Sequence, residues 1–177
     1  AGSSLLTLAF EIIADKKYLL NPKAKNEIIK FLSSCSGHTG IAGGQELDLK
    51  FENKKKGINQ IIDMQKKKTG KLFNFCLYAV GVVAKKNTKD KLFLSNLGEE
   101  IGLLFQLADD FLDFRGLKKL LGKPVKKDHK KGKSTLLNLM GEKKAYLFAN
   151  NLKIKILRKL EKHGKSAEEL ISTIEFI

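Results

Sequence analysis

Three carboxylates, Asp109, Asp110 and Asp113, sit inside the apolar run FQLADDFLDF at residues 105–114. The chain around them is basic, with 34 Lys+Arg against 19 Asp+Glu and a formal net charge of +15. On a helix, residues four apart share a face. Asp109 and Asp113 therefore stack one turn apart, with Gln106 on the same side and Asp110 about 100° round. Carboxylates packed together among Phe105, Leu107, Phe111, Leu112 and Phe114 are unfavourable unless a cation neutralises them. Mg²⁺ suits such a place, because it takes oxygen ligands and keeps waters and substrate phosphates in its shell. The spacing predicts a platform for Mg²⁺ bridging to a diphosphate. An Asp-Asp pair on a helix is more often a solvated face, but a solvated face has no need of so many bulky neighbours.

Basic groups that could meet a diphosphate recur along the chain. Lys68 precedes Thr69 in KKKTGKLF, Lys123 lies in LGKP ahead of Asp128, and Lys133 lies in GKST. Lysine ammonium groups act as point-charge donors to phosphate. Lys68 is favoured over its neighbours because Leu72 and Phe75 share its helical face, which should turn it inward. Lys66, Lys67, Lys126, Lys127, Lys130 and Lys131 are assigned to solvent. GKST is not the end of a P-loop: position 127 is Lys127 rather than Gly, and no strand precedes it. The three histidines are scattered, which argues against a carboxylate-bridged di-iron site.

These groups need elements to hold them. Apolar residues at helical spacing predict helices over residues 5–15, 23–49, 58–83 and 92–114, with two or three shorter ones at the end. Residues 51–57 read as a polar connection and 116–134 as a lysine-rich loop. The glycines of GHTGIAGG read as places of close approach within the second helix. Strand alternation and internal repeats are both absent from the sequence, so the expected architecture is all-α, an antiparallel helix bundle around one core. The 177 residues suffice for one domain. Cys35 and Cys76 are too few for a disulfide framework, which fits a cytoplasmic location. No apolar run reaches the roughly 18–20 residues of a membrane span. The start, AGSSLLTLAF, shows no leader pattern and no Met, so a processed, trimmed or fragmentary chain is expected.

GGQELDL, KKKTGKLF, GLLFQLADDFLD, LGKPVKKD and GKST occur in an order and at spacings that resemble the trans-polyprenyl diphosphate synthases, most of all the bacterial farnesyl or geranylgeranyl type. The opening AGSSLLTLAFE resembles the helix after the first half of that fold. The resemblance covers nearly the whole chain. It implies an isoprenoid-synthase helix bundle, with residues 1–177 as the C-terminal part of a single domain and the N-terminal helices missing.

It also implies Mg²⁺, an allylic diphosphate (dimethylallyl or geranyl) and isopentenyl diphosphate, condensed to farnesyl or geranylgeranyl diphosphate with release of pyrophosphate. Asp109, Asp110 and Asp113 match the second aspartate-rich motif, and Asp128 an additional acidic residue near the third metal. Lys68, Thr69 and Lys123 match contacts to the allylic diphosphate, and Lys133 a later basic contact. Gln106 matches the Gln one turn before the acidic motif, and Gln45 and Asp48 line the same cavity. A homodimer is the family expectation, without nucleic acid and without stable membrane insertion.

The departures are Ser3 where the family usually has Asp, the lack of a second DDxxD, and only two arginines, Arg115 and Arg158. They predict that this chain alone does not turn over. A non-catalytic partner subunit of a prenyl synthase is the alternative. A basic nucleic-acid-binding helical protein is disfavoured by the paucity of Arg and by aromatics at core spacing. A terpene cyclase is disfavoured by GGQELDL and KTG.

Overall fold

The computed structural model describes residues 2–121 and 135–177, and the side chains of all of these except residues 117–121. Among these every regular element is helical, with no strand. The helices are α1 (Gly2–Ala14), α2 (Pro22–Ser36), α3 (Ile41–Phe51), α4 (Ile58–Gln65), α5 (Lys71–Val83), α6 (Thr88–Leu121), α7 (Leu136–Met140), α8 (Glu142–Glu161) and α9 (Glu168–Phe176). A π turn, Lys66–Gly70, joins α4 to α5, and a 3₁₀ turn, Gly164–Ala167, precedes α9. No helix among the described residues is long and apolar enough to cross a membrane.

Three boundaries differ from the sequence reading. The helix expected over 23–49 is two helices, α2 and α3, parted at residues 37–40. Asn21 starts α2 by accepting the Lys23 N–H at 2.8 Å, with Pro22 in the first turn where its missing donor costs nothing. The Gly37 N–H closes α2 on Ser33, and the chain turns through Gly40 before the next helix begins. The helix expected over 58–83 is continuous in direction but carries the π turn. The acidic helix is longer than expected, starting at Thr88 and running to Leu121, through part of the segment read as a loop.

α6 is the spine. On one side Leu97, Ile101 and Leu104 pack against Ile156 and Leu160 of α8 and Ile174 of α9. On another, Leu103 and Leu107 meet Phe51 of α3, Ile61 and Met64 of α4, and Leu136 of α7. Near its C-terminal end Phe111 joins Leu137 and Ala145. The backbones of α6 and the π turn approach so closely that a Cβ on Gly102 would lie 2.6 Å from the Gly70 Cα. α2 is tied to α5 by the stacked rings of Phe31 and Tyr78, 3.9 Å between centroids. The Tyr78 hydroxyl donates to Glu27 at 2.7 Å, and Lys91 donates to the same carboxylate at 2.5 Å. α1 buries none of its residues.

Candidate functional site

The phase of α6 sorts the three aspartates. Asp109 and Asp113 are exposed, while Asp110 is 8% exposed. The apolar flank divides in the same way: Leu107 and Phe111 enter the core, but Phe105 and Leu112 are exposed, contrary to a uniformly sheltered setting. They face a groove of about 750 Å³ between α5, α6, α8 and α9, with Asp109 on its rim and Phe73, Tyr146 and Ile174 among its walls.

Facing this part of α6 is the π turn, KKKTG. A π turn holds one residue more than an α turn, and such insertions are frequent at functional sites. It also rotates everything after it relative to α4. Leu72, expected on the inner face, is 51% exposed, and Asn74 takes the inner place at 4%. Lys68 nevertheless points inward, because its ammonium is paired with the Asp48 carboxylate of α3. The side chains of this pair are 30% and 12% exposed. Gly44, one turn before Asp48, lets α3 lie directly on the backbone of Lys67 and Lys68. Gln45 is on the same helix and exposed.

A second link runs from the π turn to the acidic motif. The Thr69 hydroxyl donates to Gln106 Oε1 at 2.8 Å. The Gln106 amide in turn donates to Asp110 Oδ1 at 3.2 Å and, more weakly, to Asp109 Oδ2 at 3.4 Å. Gln65, the last residue of α4, donates from Nε2 to Asp110 Oδ2 at 3.1 Å. Lys66 and Lys67, assigned to solvent from the sequence, are half-buried and paired with Glu99 and Asp63. Lys71 also bonds Glu99, at 3.2 Å.

Asp48, Lys68, Thr69, Gln106, Asp109 and Asp110 thus form two linked clusters joined through the Lys68–Thr69 backbone, with Asp113 one turn further along α6. Lys123, Asp128 and Lys133, together with Lys126, Lys127, Lys130 and Lys131, lie outside the described residues. Sequence reasoning missed Gln65 and Glu99. The signal for Gln65 was a polar residue on the apolar stripe of Ile61 and Met64; Glu99 had none beyond the lysines it serves.

Among the described residues no three His, Cys, Asp or Glu side chains converge on one point. Mg²⁺ is ordinarily held by one or two carboxylates, with substrate phosphates and waters completing its shell. Asp109 and Asp113 supply such a pair. The buried Cys35 is no candidate nucleophile, because burial pushes its thiol up.

A family model described as polyprenyl synthetase matches residues 1–175. The chain is 36% identical over 141 residues to a farnesyl diphosphate synthase of Micrococcus luteus, covering 80% of this chain and 48% of that protein. It is 32% identical over 177 residues to a short chain isoprenyl diphosphate synthase of Methanocaldococcus jannaschii, covering 100% of this chain and 52% of that protein. Among solved structures, an apo FPP/GFPP synthase of Zymomonas mobilis superposes with a TM-score of 0.83 at 33% identity, over 99% of this chain and 58% of that one. A geranyltransferase of Helicobacter pylori, solved with magnesium and isoprenyl diphosphate, gives a TM-score of 0.80 at 28% identity, over 98% of this chain and 56% of that one. The chain spans about half the length of the curated relatives it matches. The helical bundle is that of the isoprenoid synthases.

Proposed function

This chain belongs to the polyprenyl synthetase family, and from that premise we propose that it carries the allylic-diphosphate side of a Mg²⁺-dependent prenyltransferase site. The observation that supports the reading is the hydrogen-bond chain from Thr69 through Gln106 to exposed Asp109, with the neighbouring Lys68 held by Asp48. The reaction is the head-to-tail condensation of dimethylallyl or geranyl diphosphate with isopentenyl diphosphate, giving farnesyl or geranylgeranyl diphosphate and pyrophosphate.

Asp109 and Asp113 would hold Mg²⁺, which would supply neutralisation of charge on the leaving group. Asp109 and Asp113 offer oxygens on one helical face. Asp48 holds the Lys68 ammonium at a fixed place, from which it meets the remaining phosphate charge. Gln106 keeps Thr69 and the motif in register. The apolar side chains of Phe105 and Leu112 would keep water from the allylic cation. Lys123, Lys133 and Asp128 belong to the same proposal as further diphosphate and metal contacts, Asp110 as a member of the acidic motif, and Gln45 as a lining residue. A homodimer in the cytoplasm is proposed from the family alone. The 177 residues hold one DDxxD, which supports binding of diphosphate, rather than turnover, by this chain alone.

The test is calorimetric titration with pyrophosphate in the presence and absence of Mg²⁺, alongside condensation of labelled isopentenyl diphosphate with geranyl diphosphate. Mg²⁺-dependent binding that falls at least about tenfold in Asp109→Asn, a loss of over about 1.4 kcal/mol, is the expected result. Binding that is indifferent to Mg²⁺, or unchanged in Asp109→Asn, overturns the reading.

A further inference from the structure

Gln65 stands where an apolar residue would be expected. It follows Ile61 and Met64 on the buried side of α4 and is itself 4% exposed. Its amide is used from one end only. Nε2 donates to Asp110 Oδ2 at 3.1 Å, while Oε1 is buried with no hydrogen-bond partner. Buried carbonyl oxygens are rarely left in that state. Turning the amide over would not help, because it would set Oε1 against the Asp110 carboxylate. The orientation is therefore dictated by the charge-assisted bond to Asp110, and a leucine or methionine could have filled the space with no unpaired polar atom of its own, at the loss of that bond. Local rules broken in this manner are expected at functional sites.

Two rungs join the strand of helix before α5 to α6: Gln65 to Asp110, and Thr69 to Gln106. They stand on either side of the π turn's lysines. The rungs are coupled, since the Gln106 amide is shared between Asp110 at 3.2 Å and Asp109 at 3.4 Å.

We propose that Gln65 is a positioning residue for the acidic motif. It holds Asp110 inward as an anchor, so that Asp109 and Asp113 are the carboxylates presented to a metal-bound diphosphate. This inference rests on the diphosphate-site reading above.

The test uses the 177-residue chain, pyrophosphate with Mg²⁺ as the probe, and thermal melting as the readout for folding. Gln65→Met keeps length and packing but has no donor. It should still fold, melting lower because Asp110 Oδ2 loses this donor, and bind about tenfold more weakly. Gln65→Glu should do worse, by placing two carboxylates together. The reciprocal double variant Gln65→Glu/Asp110→Asn rebuilds the bond with donor and acceptor exchanged, and should recover most of the affinity lost by Gln65→Glu. Gln65→Met binding as tightly as the unaltered chain, while Asp109→Asn does not bind, overturns the positioning role and leaves the site reading intact. A double variant no better than Gln65→Glu also overturns it. An unaltered chain that ignores Mg²⁺-pyrophosphate overturns the site reading and the inference with it.

Discussion

Substituting Gly44 by alanine asks one methyl group to enter the contact between α3 and the π turn. A Cβ built there would lie 2.3 Å from the Lys68 backbone nitrogen, 2.6 Å from its Cα and 2.8 Å from the Lys67 carbonyl carbon. All three atoms are backbone, so no side chain can swing aside. The two segments must part by about 1 Å to restore ordinary contact in an interior packed as densely as a crystal. Overpacking of this kind costs about 1–3 kcal/mol. For a chain of this size each kcal/mol lowers the melting temperature by about 2–4 °C, so the drop should lie between about 2 and 12 °C.

The same displacement carries Asp48, one turn further along α3, away from the Lys68 ammonium it holds. Mg²⁺-dependent pyrophosphate affinity should therefore fall together with stability. Gly116→Ala is the matching control. That position is exposed on α6, and a Cβ there meets nothing within 4 Å. Alanine should raise stability there by about 0.5–1 kcal/mol through helix propensity alone. Thermal melts followed by far-UV circular dichroism distinguish the two. Equal melting temperatures for Gly44→Ala and Gly116→Ala would refute the close-approach argument, and with it the account of how Asp48 reaches Lys68.

Three further outcomes follow from the core and the polar triad. Ile156 is 0% exposed in the cluster joining α6, α8 and α9, so Ile156→Ala should cost about 2–5 kcal/mol and Ile156→Val about 0.5–1.5 kcal/mol by denaturant unfolding. Hydrogen bonds from Lys91 and then from Tyr78 hold Glu27 below its ordinary value of 4.5. Its contribution is present above that value and lost as pH falls through the lower folded one, and Glu27→Gln should flatten the acid limb of the stability–pH curve. Burial first, and the Glu27 carboxylate second, push the Tyr78 phenol from 10.0 to about 12. The folded state then loses stability between those two values as pH rises, and Tyr78→Phe should remove that loss.

The parts legible in the sequence were those governed by regular helical spacing. Asp109 and Asp113 share an exposed face because four residues make about one turn; Lys68 is half-buried against Asp48, although the spacing to Leu72 from which its inward turn was expected does not hold. What failed did so for identifiable physical reasons. The inner-face assignment of Leu72 assumed an unbroken α-helical period from residue 58 to 83, and the π turn at Lys66–Gly70 breaks that period. The break between α2 and α3 lay hidden because GHTGIAGG carries glycines of two kinds. Gly37 and Gly40 serve the turn, while Gly43 and Gly44 are buried within α3. Lys66 and Lys67 looked like solvent lysines because their carboxylates lie far off or on the outer face of α4: Glu99 on α6 and Asp63 one turn back.

The mixed character of α6 explains why its acidic stretch drew attention at all. A helix that is apolar on nearly every side is one that packs on nearly every side. Leu97, Ile101 and Leu104 are claimed by α8 and α9, and Leu103 and Leu107 by α3, α4 and α7. The residues left over are Phe105, Asp109, Leu112 and Asp113, all exposed. Solubility alone would favour polar residues throughout that remaining face. Here it alternates carboxylate with large apolar side chains, a combination that suits a ligand charged at one end and apolar along its length. A prenyl diphosphate has that character, which is why the exposed remainder of the spine, rather than its buried majority, carries the functional argument.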